Sequence, residues 1–210
     1  MTPTDNRRPL KSRSKPWAKA LAKLLVACKV QPNHISIAGI VFSVIGGALL
    51  LAHASGGMFL LLAVALCIQA RLLCNLMDGL VAVEGGLKSN YGDLYNEIPD
   101  RIADAVLLVC AGYAAESGTT GWLCAVLAVF TAYLRVFGGS LGQKQDFCGP
   151  MAKQHRMFVL TLGCLFASLN FLIGGAHHAL LVALWIIAAG TAATSVRRIM
   201  RIAKNTVATP

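Results

Sequence analysis

The sequence predicts an all-α, polytopic membrane protein with six transmembrane helices and an N-terminal amphipathic helix at the membrane interface. Three observations carry this. Hydrophobic residues make up 56% of the 210 residues and charged residues only 13%, where a soluble domain carries roughly 25% charge. Six apolar runs approach the length of about 17–25 residues that a helix needs to cross a bilayer. No alternation of apolar and polar residues is long enough for the strands of a barrel.

The runs span 35–53, 58–76, 102–115, 120–136, 157–172 and 179–193. The second and third lead into the polar stretches 75–78 and 96–104. Backbone groups in lipid must be bonded within their own segment, so both helices are expected to continue past the hydrocarbon edge. Gly46-Gly47 and Gly138-Gly139 permit close helix contact. Pro99, lacking an N–H, is expected to bend the third helix.

Basic residues set the orientation. Eight lie between Arg7 and Lys29, before the first run. Arg71, Lys88 and Arg101 surround the second turnaround, and Arg135, Lys144, Lys153 and Arg156 the fourth. Arg197, Arg198, Arg201 and Lys204 follow the last run, and the other connections hold none. Both termini are therefore expected in the cytoplasm. The absence of a targeting sequence suggests a bacterial inner membrane.

Residues 1–14 are polar and basic, which suits a disordered arm. They do not form a cleavable signal, because basic residues continue to Lys29. Trp17, Leu21, Leu24, Leu25 and Cys28 fall on one helical face, with Lys15, Lys19 and Lys23 on another, as in a helix lying on a membrane. The chain thus divides into a basic arm with an amphipathic helix, 1–30, and a six-helix unit, 31–205. The net charge of +10 sits between apolar runs, so anionic lipid is the expected partner and nucleic acid is not. The seven cysteines lie mostly inside apolar runs and show no zinc spacing.

An ionisable residue at membrane depth costs at least about 2.5–3.5 kcal/mol and marks function. Six of the nine acids fall between Asp78 and Asp104: Asp78, Glu84, Asp93, Glu97, Asp100 and Asp104. Arg71, Asn75 and Asp78 lie at i, i+4 and i+7, on one helix face. Asp93, Asn96, Asp100 and Asp104 share a face of the next helix. The short connection makes the two helices antiparallel neighbours whose oxygen-bearing faces can meet across a cleft. Gly79 lets a ligand approach the backbone. Such hard oxygen donors suit magnesium, manganese or calcium. Glu97 and Asp104 also suit structural pairing with Arg101 or Arg71. Lys153 and Arg156, with Arg135, form a basic group suited to a phosphorylated alcohol. A transporter would spread charge along several spans; here it crowds one rim.

Asn75-Leu-Met-Asp78-Gly79-Leu-Val-Ala82-Val83, eight residues, then Gly92-Asp-Leu-Tyr-Asn96-Glu-Ile-Pro-Asp100 resembles the motif of the CDP-alcohol phosphatidyltransferases, D-x-x-D-G-x-x-A-R followed by G-x-x-x-D-x-x-x-D. Asp78, Gly79, Ala82, Gly92 and Asp100 match by identity. Gln31-Pro32-Asn33-His34-Ile35-Ser36 resembles the family's lead into its first span. Three positions depart: Asn75 and Asn96 stand for aspartates, and Val83 for arginine. Asp93 or Glu97 offers a replacement charge, and Arg71 a replacement cation.

The resemblance implies an enzyme that moves a phosphatidyl group from CDP-diacylglycerol to an alcohol or phosphorylated alcohol and releases CMP. It implies Mg2+ or Mn2+ held by Asn75, Asp78, Asn96 and Asp100; Asp93, one turn from Asn96 on the same face, is a further candidate ligand. It places cytidine diphosphate on Asp78, Gly79 and Ala82, counts Gly92 among the substrate-binding residues, and makes Asp100 the general base. A homodimer is also implied. The alternative is a weakened relative that binds CDP-lipid or serves as a membrane partner protein.

Overall fold

A computed structural model describes residues 15–87, 92–143 and 146–207. The arm 1–14 lies outside them. The described residues form seven α-helices: α1 (Pro16–Ala27), α2 (Pro32–Gly56), α3 (Met58–Glu84), α4 (Gly92–Ala114), α5 (Gly118–Ser140), α6 (Lys153–Asn170) and α7 (Ala176–Val207), with a 3-10 turn, Phe171–Ile173, before α7. Helices α1 and α2 each open with proline, where its missing N–H costs no helical bond.

Four helices are long and apolar enough to cross a membrane, over Pro32–His53, Met58–Glu84, Gly118–Ser140 and Ala176–Thr206. The protein is integral to a membrane. Helices α4 and α6 lie where the third and fifth apolar runs predict them, but the charged first half of α4 and the polar first turn of α6 keep them out of that group. As expected, α3 and α4 carry the polar stretches 75–78 and 96–104 within continuous helix.

The six longer helices pack in a closed cyclic order, α2, α3, α6, α7, α5, α4 and back to α2. Helix α4 leans chiefly on α2 and α5 and meets α3 only briefly, a looser pairing than the short α3–α4 connection suggests. Leu61 and Ile68 of α3, Leu107 of α4, Leu160 of α6 and Leu184 of α7 are fully buried in the middle of the ring. Large apolar side chains such as Phe59, Leu66 and Leu172 stay more than two-thirds exposed, as lipid-facing residues do. Lipid tails are as apolar as leucine, so the helices gain by close packing rather than by escape from solvent. Gly112 and Gly121 show this best. A Cβ on Gly112 would fall 2.5 Å from the Gly121 Cα, so α4 and α5 touch backbone to backbone.

Helix α1 rests on the end of α3 through Ala18 and Ala22, both fully buried, beside Leu76, Leu80 and Val81. Its expected apolar face is split. Leu21 and Leu25 pack inward, while Trp17, Leu24 and Cys28 remain exposed. Two alanines one turn apart let the backbones approach, which rotates the buried face away from Trp17.

The segment 146–152 before α6 is fastened to α7. Met151 N–H donates to Thr194 Oγ1 at 2.9 Å, Arg198 Nε to the Cys148 carbonyl at 3.3 Å, and Arg201 to Asp146 at 3.1 Å. Gly149 has φ +118°, and a Cβ there would lie 2.3 Å from a Thr194 methyl. Only glycine fits that bend.

Candidate active site

The helical period of α3 turns Arg71, Asn75 and Asp78 to one side. There they line a small pocket with Ser36 of α2 and with Pro99 and Asp100 of α4. Asp78 is buried; its Oδ2 accepts from Ser36 Oγ at 2.9 Å and its Oδ1 from the Gly79 N–H at 2.6 Å. Asn75 Nδ2 donates to both oxygens of Asp100, each at 2.9 Å. Arg71 Nη2 reaches Asp100 Oδ1 at 3.4 Å and the Asp100 carbonyl at 3.2 Å. Lys153, the first residue of α6, places its ammonium on Asp100 Oδ2.

Beneath this layer lies a buried ionic strut. Asp104 receives Arg71 at 2.5 Å on one oxygen and Arg156 at 3.0 Å on the other, and all three side chains are at most 2% exposed. Glu97, nearer the rim, pairs with Arg101 at 2.8 Å and Arg135 at 2.5 Å. The structural pairing expected for Glu97 and Asp104 is therefore present.

Burial raises the Glu97 carboxyl, but Arg135 and Arg101 outweigh it and hold the group below its ordinary value. Lys153, before the apolar part of α6, is pushed down by burial to about 8, although Asp100 pulls the other way. Asp146, also outside the apolar spans, is raised by burial but held low by the Cys148 bonds and Arg201.

The pocket unites Asn75, Asp78 and Asp100 as the spacing predicts. Asp93 and Asn96 lie on α4, with side chains outside the described residues. Gly79 and Ala82 are buried in α3 and do not line this pocket; Gly92 opens α4. Arg135, Lys153 and Arg156, expected as one basic group, all reach acids of α4. Each is drawn to a different acid of α4: Glu97, Asp100 and Asp104. An unpaired buried cation is costly, and α4 supplies the nearest carboxylates.

Two contributions were not identified from sequence. Ser36 was visible only as part of the Pro-Asn-x-Ile-Ser stretch, with nothing to show that it would bond Asp78. Arg198 looked like a topology-setting base after the last span. In the fold it lines a second small cleft with Arg135, Arg201, Asp146 and Gln143, and its guanidinium reaches the Thr131 carbonyl.

Among the described residues, no group of three or more acids, histidines or cysteines converges as a ready-made metal cage. The pocket instead offers two carboxylates and an amide, from α3 and α4. Magnesium is usually held by one or two carboxylates together with substrate phosphates and water, so these donors fit it or manganese.

No family model matches the chain. It is 31% identical over 137 residues to the inner membrane protein YnbA of Escherichia coli, covering 63% of this chain and just under two-thirds, 66%, of that protein. It is 27% identical over 195 residues to the phosphatidylinositol phosphate synthase of Streptomyces avermitilis, covering 88% and 77%. The fold matches crystal structures of the Mycobacterium tuberculosis phosphatidylinositol phosphate synthase. With CDP-DAG bound, that protein gives a TM-score of 0.73 at 21% identity over 88% of this chain and 92% of its own. Its complex with manganese and citrate also gives 0.73 at 21% identity, over 88% of each chain.

Proposed function

The chain belongs to the CDP-alcohol phosphatidyltransferase family, and from that premise we propose that it transfers a phosphatidyl group from CDP-diacylglycerol to an alcohol, releasing CMP, in phospholipid synthesis. The observation that carries this is the meeting of Asp78 and Asp100, from two different helices, on one pocket with Asn75 and Ser36. The relatives support the substrate class: two are named phosphatidylinositol phosphate synthase, and one was solved with CDP-DAG.

Asn75 and Asp78 would hold Mg2+ or Mn2+; Asn96 and Asp100 are the other ligand positions of the family motif, and Asp93 would supply a replacement charge one turn before Asn96; the ion would neutralise the diphosphate. Asp78, fixed by Ser36 and the Gly79 N–H, orients the nucleotide end of the donor. Gly79 and Ala82 belong to that end on the motif, and Gly92 is a further substrate-binding position. Asp100 takes the proton of the acceptor hydroxyl. The freed oxygen attacks the phosphorus that carries diacylglycerol, the bond to the CMP oxygen breaks, and CMP leaves. Arg135 and Lys153, partly exposed on the rim, are the acceptor-side cations, and Arg156 supports them from below.

In membrane terms, we read α2–α7 as six spans and α1 as an interfacial helix, within a division at 1–30 and 31–205. Both termini and the acids lie on the cytoplasmic side, on the distribution of Lys and Arg. The likeness to an inner membrane protein supports a bacterial inner membrane, and the family pattern supports a homodimer.

The test is incubation of the purified protein with CDP-diacylglycerol, Mg2+ or Mn2+ and a panel of alcohols, with mass spectrometry of the lipids and assay of CMP. Metal-dependent CMP release with a new phospholipid is expected, and EDTA should stop it. One observation favours a second reading. Asp100 is ringed by Asn75, Arg71 and Lys153, as suits a relative that binds CDP-lipid without turning it over. Binding of CDP-diacylglycerol without CMP release from any acceptor would favour that reading over the transferase.

A further inference from the structure

We propose that the Lys153 ammonium is a resident cation of this site, holding Asp100 as a metal ion would, so that the chain takes a single divalent ion, on the Asp78 side. The proposal rests on the transferase reading for the presence of a metal, but its test does not depend on turnover.

The hydrogen bonds of the two carboxylates differ. A carboxylate offers about four lone-pair positions. On Asp100, Oδ1 receives Asn75 Nδ2 at 2.9 Å and Arg71 Nη2 at 3.4 Å, while Oδ2 receives Asn75 Nδ2 at 2.9 Å and Lys153 Nζ. Its coordination is filled by side chains, two of them cationic. Asp78 receives one neutral donor on each oxygen, the Gly79 N–H and the Ser36 hydroxyl. Of these two carboxylates, only Asp78 keeps positions that a dication could take without displacing a charge.

The motif departures fit the same picture. An aspartate at position 75 would face Asp100 across 2.9 Å, and two such carboxylates need a cation between them. Asn75 removes that need by donating its own N–H groups. Asn96 removes a second negative charge from the motif. Lys153 and Arg71 meanwhile bring two positive charges to Asp100. A site with two carboxylates fewer than the motif, and a tethered ammonium on one of those that remain, has a weakened attraction for a second dication, and Lys153 cannot diffuse away.

The test is a Mn2+ titration of the full-length protein in detergent, with free Mn2+ followed by electron paramagnetic resonance and no substrate present. One Mn2+ per chain is expected for the wild type and for Lys153→Arg. Lys153→Met should add a second ion or tighten binding at least about tenfold, because a repelling charge leaves. Asn75→Asp should do the same by restoring an attracting charge, and it decides the matter should Lys153→Met fail to fold. Two ions or none in the wild type overturns the proposal. So does a wild-type count and affinity in Asn75→Asp and in any folded Lys153→Met. CMP release is scored separately. One ion without CMP release leaves the resident cation standing and removes the transferase reading, whereas two ions with CMP release does the reverse.

Discussion

Replacing Asp104 with asparagine removes one charge from the middle of a buried strut and leaves the shape nearly unchanged. Arg71 and Arg156 then face each other across a neutral group, with no water to screen them; both are at most 2% exposed. Each bond that Asp104 accepts is charge-assisted and worth about 1.5–3 kcal/mol, and removing one partner of a buried pair costs about 3–5 kcal/mol. The asparagine oxygen retains one of the two guanidinium bonds, so the lower end applies, about 3 kcal/mol. For a chain of this size, each kcal/mol moves the melting midpoint by about 2–4 °C. A fall of about 6–12 °C is therefore expected, read by thermal unfolding of the detergent-solubilised protein. Glu97→Gln is the control. Glu97 also pairs with two arginines but is 41% exposed, and exposed pairs contribute about 0–1 kcal/mol. The reasoning is refuted if Asp104→Asn melts no lower than Glu97→Gln.

Three other outcomes follow from the same geometry. Asp100→Asn should lower CMP release by about 10²–10⁴-fold, the usual worth of a positioned base, while CDP-diacylglycerol binding by the purified protein stays near wild type; full turnover would end its candidacy. Ser36→Ala deletes the hydroxyl bond to Asp78, worth about 1 kcal/mol, so kcat/KM for CDP-diacylglycerol should fall about fivefold, and an unchanged value would show that the bond does not matter. Gly112→Ala drives a methyl into the α5 backbone at Gly121 and should cost about 1–3 kcal/mol as overpacking, seen as a lower melting midpoint; an unaltered midpoint would mean that α4 and α5 separate freely.

The helical period made much of α3 and α4 legible. Arg71, Asn75 and Asp78 share a face by spacing alone, and so do Asp100 and Asp104, so their convergence needed only the two helices to meet. The side of α1 that packs inward was not legible, because large residues at Trp17 and Leu24 mark apolarity while Ala18 and Ala22 mark closeness, and only the partner helix decides between them. The pairing of Arg135, Lys153 and Arg156 with three different acids was hidden for a similar reason. Lys153 and Asp100 are 53 positions apart, and nothing local to either names the other. Ser36 was equally hidden: its hydroxyl meets Asp78 only because α2 packs against α3.

Helix α7 has 32 residues, which at about 1.5 Å per residue is roughly 48 Å against a hydrocarbon core of about 30 Å. Its final turns must stand clear of the oil as a rigid mast, and the strap through Asp146, Cys148 and Met151 is moored to it. Lys153 follows that strap directly, so the mast sets the height at which the ammonium meets Asp100. A shift in the pitch of α7, made far from any carboxylate, would be felt there as a change in the reach of a single lysine.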